Sequence, residues 1–174
     1  MKFRLLSEKD IEVKVKQVKE NGAVLLLYKT ARTDMDILDE AVGAANWTND
    51  YKEIKGNLYC GLAVREKEED PFIWKWDCGI ESREDGDGNE KKGEASDAFK
   101  RAGFRWGIGR ELYSAPFIRI PADKMNIIMG NNGKPKTFDT FSVEKIAYDD
   151  CGRISGLAIR NNKTEKRVFV WQRT

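Results

Sequence analysis

The chain has 174 residues, 40% of them hydrophobic and 34% charged, enough apolar material for one domain, or one domain with a substantial appendage. It has no histidine, which excludes a Ser-His-Asp triad, a Cys-His dyad and every His-ligated metal site. The formal net charge of +2 conceals an uneven distribution: residues 1–98 are net −6, residues 99–120 net +4 and residues 121–174 net +4.

Cys60, Cys78 and Cys151 are widely spaced and form no CxxC pair, so neither a disulfide framework nor a zinc site is expected. No apolar run is long enough to span a membrane, and the N-terminal residues lead directly into charged sequence. The expectation is a cytoplasmic protein without membrane contact.

In chain order, Ile11, Val13 and Val15 alternate with Glu12, Lys14 and Lys16, the period of a half-exposed strand. Asn21-Gly22 and the run Ala23–Tyr28 follow, which predicts a hairpin whose turn residues tolerate positive φ. Thr33 is placed to cap a helix over about residues 34–42, with Met35, Leu38, Ala41 and Val42 on one face and Ile37 outside it. Trp47 precedes a polar stretch that runs to a turn at Lys55-Gly56-Asn57.

Two strands follow. In the first, Leu58, Cys60, Leu62 and Val64 oppose Tyr59, Gly61 and Ala63; in the second, Phe72, Trp74 and Trp76 alternate with Ile73, Lys75 and Asp77. Residues 66–70 read as a hairpin loop and residues 83–93 as a polar loop with three glycines. A helix is predicted over about residues 94–106. Beyond Pro121, residues 129–136 read as a loop and residues 141–147, 154–159 and 167–171 as short strands. The expected fold is α+β: an antiparallel sheet backed by a long basic amphipathic helix, with a C-terminal β-rich extension. The expected division is a domain over residues 1–120 and an extension over residues 121–174, separate or part of the same domain.

The helix before Gly107 carries the functional signal. Ala95, Ala98, Phe99, Ala102 and Trp106 fall on one side, and Lys100 and Arg101 on the other with Asp97 and Phe104. Arg105 lies at the border, and Arg110 follows the glycines that end the helix. A ridge of this kind tracks a phosphate backbone, while Phe104 and Tyr113 offer faces on which bases can stack. The same residues also describe an ordinary solvated helix face, with Asp97 pairing to Arg101 at i, i+4.

The run Ser96-Asp97-Ala98-Phe99-Lys100-Arg101-Ala102, followed by Trp106-Gly107-Ile108-Gly109-Arg110 and Leu112-Tyr113, resembles the Rad-fifty-two-type single-strand annealing proteins, and most closely their phage and bacterial members. Residues 36–43 with Trp47, residues 59–64 and Asp77-Cys78-Gly79 resemble the family's earlier blocks, so the likeness covers about residues 28–115. It implies a protein that binds single-stranded DNA and anneals complementary strands in recombination or repair. Such a protein assembles as a homo-oligomeric ring or filament and has host or phage recombination proteins as partners. It also implies no catalytic residues, no nucleotide and no metal or other cofactor. The family's paired basic residues correspond to Lys100 and Arg101, and a further arginine to Arg32, displaced by one residue. Arg105 and Arg110 join the expected DNA-binding set on the charge reading alone.

Other readings remain open at this stage. Asp77 with Glu81 and Glu84 suggests a metal-dependent nuclease, and the same basic groove suits a protective single-strand coat that does not anneal. Asp85-Gly86-Asp87-Gly88-Asn89 begins like a calcium loop, but Glu90 and Ser96 stand where glycine and glutamate are needed. Trp74 and Trp76, on one face of a strand, suit a core or a subunit interface better than base stacking.

Overall fold

The structure is a computed structural model that describes residues 1–80 and 90–174, the side chains of residues 90–92 excepted. In chain order the elements are β1 (Glu12–Lys19), β2 (Gly22–Tyr28), α1 (Ala31–Val42), β3 (Trp47–Ile54), β4 (Asn57–Val64), β5 (Ile73–Cys78) and α2 (Glu90–Trp106). There follow β6 (Ile118–Pro121), the short pair β7 (Ile128–Met129) and β8 (Pro135–Lys136), then β9 (Phe141–Tyr148), β10 (Ile154–Asn161) and β11 (Lys166–Gln172). The fold is α+β, with antiparallel sheets and two α-helices among the described residues. None of these helices is long and apolar enough to cross a membrane. Residues 83–89 of the expected polar loop, the calcium-like run from Asp85 to Asn89, and Glu81 and Glu84 lie outside the described residues, whereas residues 90–93 of that loop are helical.

The chain divides into two units. One comprises residues 1–5 and 29–110, the other residues 6–28 and 111–174. The N-terminal hairpin therefore groups with residues 111–174 rather than with residues 29–110.

In the second unit a six-stranded sheet runs β11-β10-β9-β1-β2-β6. Val13 stands opposite both Leu27 on β2 and Phe141 on β9, and this register joins the hairpin to the C-terminal strands. Leu25, Ile118, Ile120, Ile154 and Ile159 are fully buried on the inward side. Edge strands β6 and β11 touch, so the sheet curls toward closure. The β1–β9 pairing covers strand edges that would otherwise expose unpaired backbone groups.

The hairpin forms where predicted, but through a different turn. Lys19 pairs with Gly22, so Glu20 and Asn21 make the turn and Gly22 opens β2. Gly22 has φ +141°, and a Cβ there would lie 2.2 Å from the Ile120 carbonyl oxygen. Glycine is needed here for the close approach of β6 as well as for its backbone angle.

In the first unit β3, β4 and β5 form a three-stranded sheet with β4 at its centre. The stretch after Trp47, polar and fully exposed from Asp50 to Ile54, is the edge strand β3. It joins β4 through Lys55-Gly56, both at positive φ, as a two-residue hairpin turn requires. Helix α1 starts earlier than predicted, because Thr30 accepts a hydrogen bond from the Thr33 N–H and caps it. Its buried face is Thr33, Asp34, Ile37 and Leu38: Leu38 is inside as predicted and Met35 and Val42 are half-buried, but Ile37 is also inside and Ala41 is exposed.

Helix α2 packs on β4 and β5. It begins at Glu90, four residues before the predicted start. Ala98 and Ala102 are fully buried, and their small side chains permit close approach to the sheet. Buried Phe99 meets the Trp47 ring edge-on at 6.0 Å, and the Trp106 indole donates to the Leu62 carbonyl at 2.9 Å. The helix ends in a Schellman arrangement: the Ile108 N–H donates to the Gly103 carbonyl, and the Gly107 N–H, at φ +104°, donates to the Phe104 carbonyl.

Candidate functional site

The period of two along β5 places Lys75 and Asp77 on one side and Trp74 and Trp76 on the other. Lys75 lies opposite Leu62 and Asp77 opposite Cys60, on the side of the sheet that α2 covers. Two charged residues thus sit beneath the helix, and both are used.

Asp77, 8% exposed, receives both arginines of the adjacent turns of α2. Arg105 Nε donates to one carboxylate oxygen at 2.9 Å and Arg101 Nε to the other at 3.4 Å. Burial by itself would raise the Asp77 carboxyl. The hydrogen bonds from Arg105 and the Cys78 N–H, with the charges of both arginines, outweigh burial and hold it below the usual carboxylate range. Spacing of i, i+4 brings Arg101 and Arg105 to the same acceptor. One buried carboxylate therefore fixes two half-exposed guanidinium groups on a rigid element.

Lys75 closes the end of the helix. Its ammonium donates to the Arg105 carbonyl at 3.3 Å and lies 4.1 Å from the centre of the Trp106 ring. A cation at this place satisfies a carbonyl at the negative end of the helix dipole. Arg110 does the same from the other direction, donating to the Phe104 and Arg105 carbonyls at 2.8 Å and covering the Phe104 ring.

Glu94 and Asp97 of α2 bind backbone N–H groups of the sheet and its exit. Glu94 accepts from the Leu58 N–H at 3.1 Å and Asp97 from the Ile80 N–H at 3.0 Å. Asp97 also lies 3.9 Å from Lys100, whereas the alternative reading paired it with Arg101. The side chain of Lys100 is 28% exposed on the turn shared with Arg101.

Beneath α2 lies a buried ion pair. The Lys29 ammonium, just before α1, contacts both oxygens of fully buried Asp34 at 2.5 Å and reaches the Lys100 carbonyl at 3.5 Å. A Cβ on Gly103 would come within 2.5 Å of the Asp34 carboxylate, so glycine is what lets α2 cross here. Breaking a buried pair of this kind costs about 3–5 kcal/mol. The pair and Gly103 therefore fix where the helix that carries Lys100 and Arg101 crosses.

Of the five residues expected to contact DNA, Arg101 and Arg105 are brought together by Asp77, and Lys100 adjoins them. Arg110 caps the same helix. Arg32 is exposed in the first turn of α1. Phe104 is half-buried and Tyr113 is 78% exposed in the other unit. The clamping role of Asp77 was not read from the sequence, nor were the roles of Lys75, Lys29 and Asp34. A usable signal for Asp77 and Lys75 was their alternation with Trp74 and Trp76, which puts two charges on the sheet face that meets a helix.

Trp74 and Trp76 stack on the opposite face of the sheet, with ring centres 5.7 Å apart, and the Lys52 ammonium lies 4.6 Å from the Trp76 ring. Gly61 makes room for Trp76, whose ring fills the place of its missing side chain. Among the described residues, no three His, Cys, Asp or Glu residues are grouped so as to hold a metal ion. Comparison with protein-family models, with curated proteins and with solved structures finds no match.

Proposed function

We propose that this protein binds single-stranded DNA and promotes the annealing of complementary strands, without bond making or breaking and without nucleotide or metal. The observation that carries the reading is the pair Arg101 and Arg105 held on α2 by Asp77, with Lys100 beside them. Annealing requires the backbone charge to be neutralised while base edges stay open. Contacts to phosphate from preorganised cations meet that need and are independent of sequence. Arginine suits the task because its planar fork matches a phosphate while its inner nitrogen is held from behind.

The carboxylate that a metal-dependent nuclease would need is engaged by two arginines, which favours annealing over that alternative. Assembly of copies into a ring or filament in the cytoplasm, acting with recombination proteins, completes the proposal. Ile73, 59% exposed, and Trp74, 42% exposed, are apolar surface on β5 that a second copy would cover.

The test is annealing of two complementary oligonucleotides labelled for energy transfer, with neither nucleotide nor metal present. The expected outcome is faster pairing, lost in the Lys100→Ala/Arg101→Ala variant. Tight binding without faster pairing would replace annealing with protective coating. Degradation on addition of magnesium would restore the nuclease reading.

A further inference from the structure

The outer side of the six-stranded sheet carries a second cluster of cations, built by an irregularity in β1. Val15 stands opposite Leu25 and Gln17 opposite Val24, so Lys16 is the extra residue of a β-bulge. Val13 and Val15 are half-buried before the bulge and Val18 after it, while Lys14, Lys16, Gln17 and Lys19 are exposed. With an unbroken period of two, Lys19 would share the side of Val13 and Val15. The bulge turns it outward beside Lys16.

Strand β6 completes the cluster from the other side of β2. Arg119 pairs with Val24, and the close approach at Gly22 brings β6 against the hairpin. Arg119 is exposed and donates to the Asn21 carbonyl at 3.5 Å, while Phe117, two residues earlier, is 73% exposed. Two clefts meet here. One, of about 350 Å³, is lined by Lys16, Lys19, Arg119 and Phe117. The other, of about 270 Å³, has an apolar floor of Leu26, Leu112 and Pro116 and shares Lys16 and Phe117 with the first. Among the described residues, no carboxylate lines either cleft.

We propose that these clefts form a second contact for single-stranded nucleic acid, with phosphates held by Lys16, Lys19 and Arg119 and a base stacked on Phe117. Three cations without an acidic partner among the described residues complement a polyanion, and an exposed aromatic ring among them accepts any base. A protein partner fits less well, because lysine is depleted from protein interfaces. The inference rests on nucleic-acid binding as the activity and uses none of the α2 residues.

The experiment follows binding of the full chain to a labelled oligothymidylate across a salt series. It compares the wild type with Lys16→Ala/Lys19→Ala/Arg119→Ala, Phe117→Ala and Lys100→Ala/Arg101→Ala. The side chains of the first two variants are exposed, and unchanged thermal melting will check their folding. The triple variant is expected to bind more weakly and to lower the salt slope by about 2, at about 0.7 per phosphate contact in a single strand. Phe117→Ala is expected to weaken binding about tenfold at every salt concentration. Ultraviolet crosslinking to the oligothymidylate should give a peptide that contains Phe117.

Wild-type affinity and salt slope in the triple variant would overturn the inference. Loss confined to Lys100→Ala/Arg101→Ala would do the same while leaving the α2 reading in place. Loss confined to the triple variant would support the second contact and remove the α2 site. A wild type that binds phosphatidylserine vesicles but no oligonucleotide would overturn both.

Discussion

Asp77 concentrates the physical logic of the α2 site. A carboxylate this buried is tolerated because two guanidinium groups and a backbone N–H satisfy it. Its pKa lies below the unfolded value in consequence. The linked stability is therefore present above the ordinary carboxylate pKa of about 4 and is lost as pH falls through the folded value. The urea midpoint of the wild type should drop on acidification below about pH 4 more steeply than that of Asp77→Asn, which starts lower at neutral pH. Parallel pH profiles for the two proteins would show that Asp77 carries none of this linkage. Lys29 and Asp34 are tolerated in the interior for a like reason, each charge offset by the other at 2.5 Å. Neither pair was legible in the sequence, because a lone Asp in a strand or a helix reads as solvated until its partner from a distant segment is known.

Among the elements, β3 and its turn show what local pattern conceals. Its residues from Asp50 to Ile54 are all exposed, so no alternation marks them as a strand. Its order comes from pairing with β4 along its whole length. The turn demands positive φ at both Lys55 and Gly56, and a side-chain-bearing residue in that region costs about 1–2 kcal/mol. Asparagine tolerates it better. Lys55→Asn is expected to stabilise the protein by about 0.5–1 kcal/mol, measured by chemical denaturation. A neutral or destabilising result would mean that the lysine is already relaxed in the turn. Strand β4 and helix α2 were legible for the opposite reason. The strand is a short run of apolar residues, buried on both faces from Cys60 to Val64, and the apolar residues of α2 recur at the helical period, as in Ala98, Phe99 and Ala102.

At the scale of the whole molecule, the chain forms two units whose segments interleave in sequence. A boundary at residue 120 cuts through the second of them. A fragment of residues 1–120 would keep β1, β2 and β6 but lose β9, which pairs with β1, and the strands beyond it. It would uncover Leu25, Ile118 and Ile120 and leave an open strand edge. Aggregation of that fragment in size-exclusion chromatography with light scattering is the expected outcome. A monodisperse folded fragment would show that the hairpin and β6 do not need the C-terminal strands.

The amino-acid sequence by itself determined the α+β class, the N-terminal hairpin, β4, β5, α2 and the three C-terminal strands. Each of these is marked by an apolar rhythm or a short apolar run between turn residues, and both are local properties. It also marked the concentration of positive charge on residues 99–120. Tertiary structure alone decided that the hairpin joins the C-terminal strands, that Asp77 holds Arg101 and Arg105, and that a bulge gathers Lys16 and Lys19 beside Arg119. Those outcomes depend on register and pairing between segments far apart in the chain. One residue of slip would turn every side chain to the other face, and no local pattern encodes that choice.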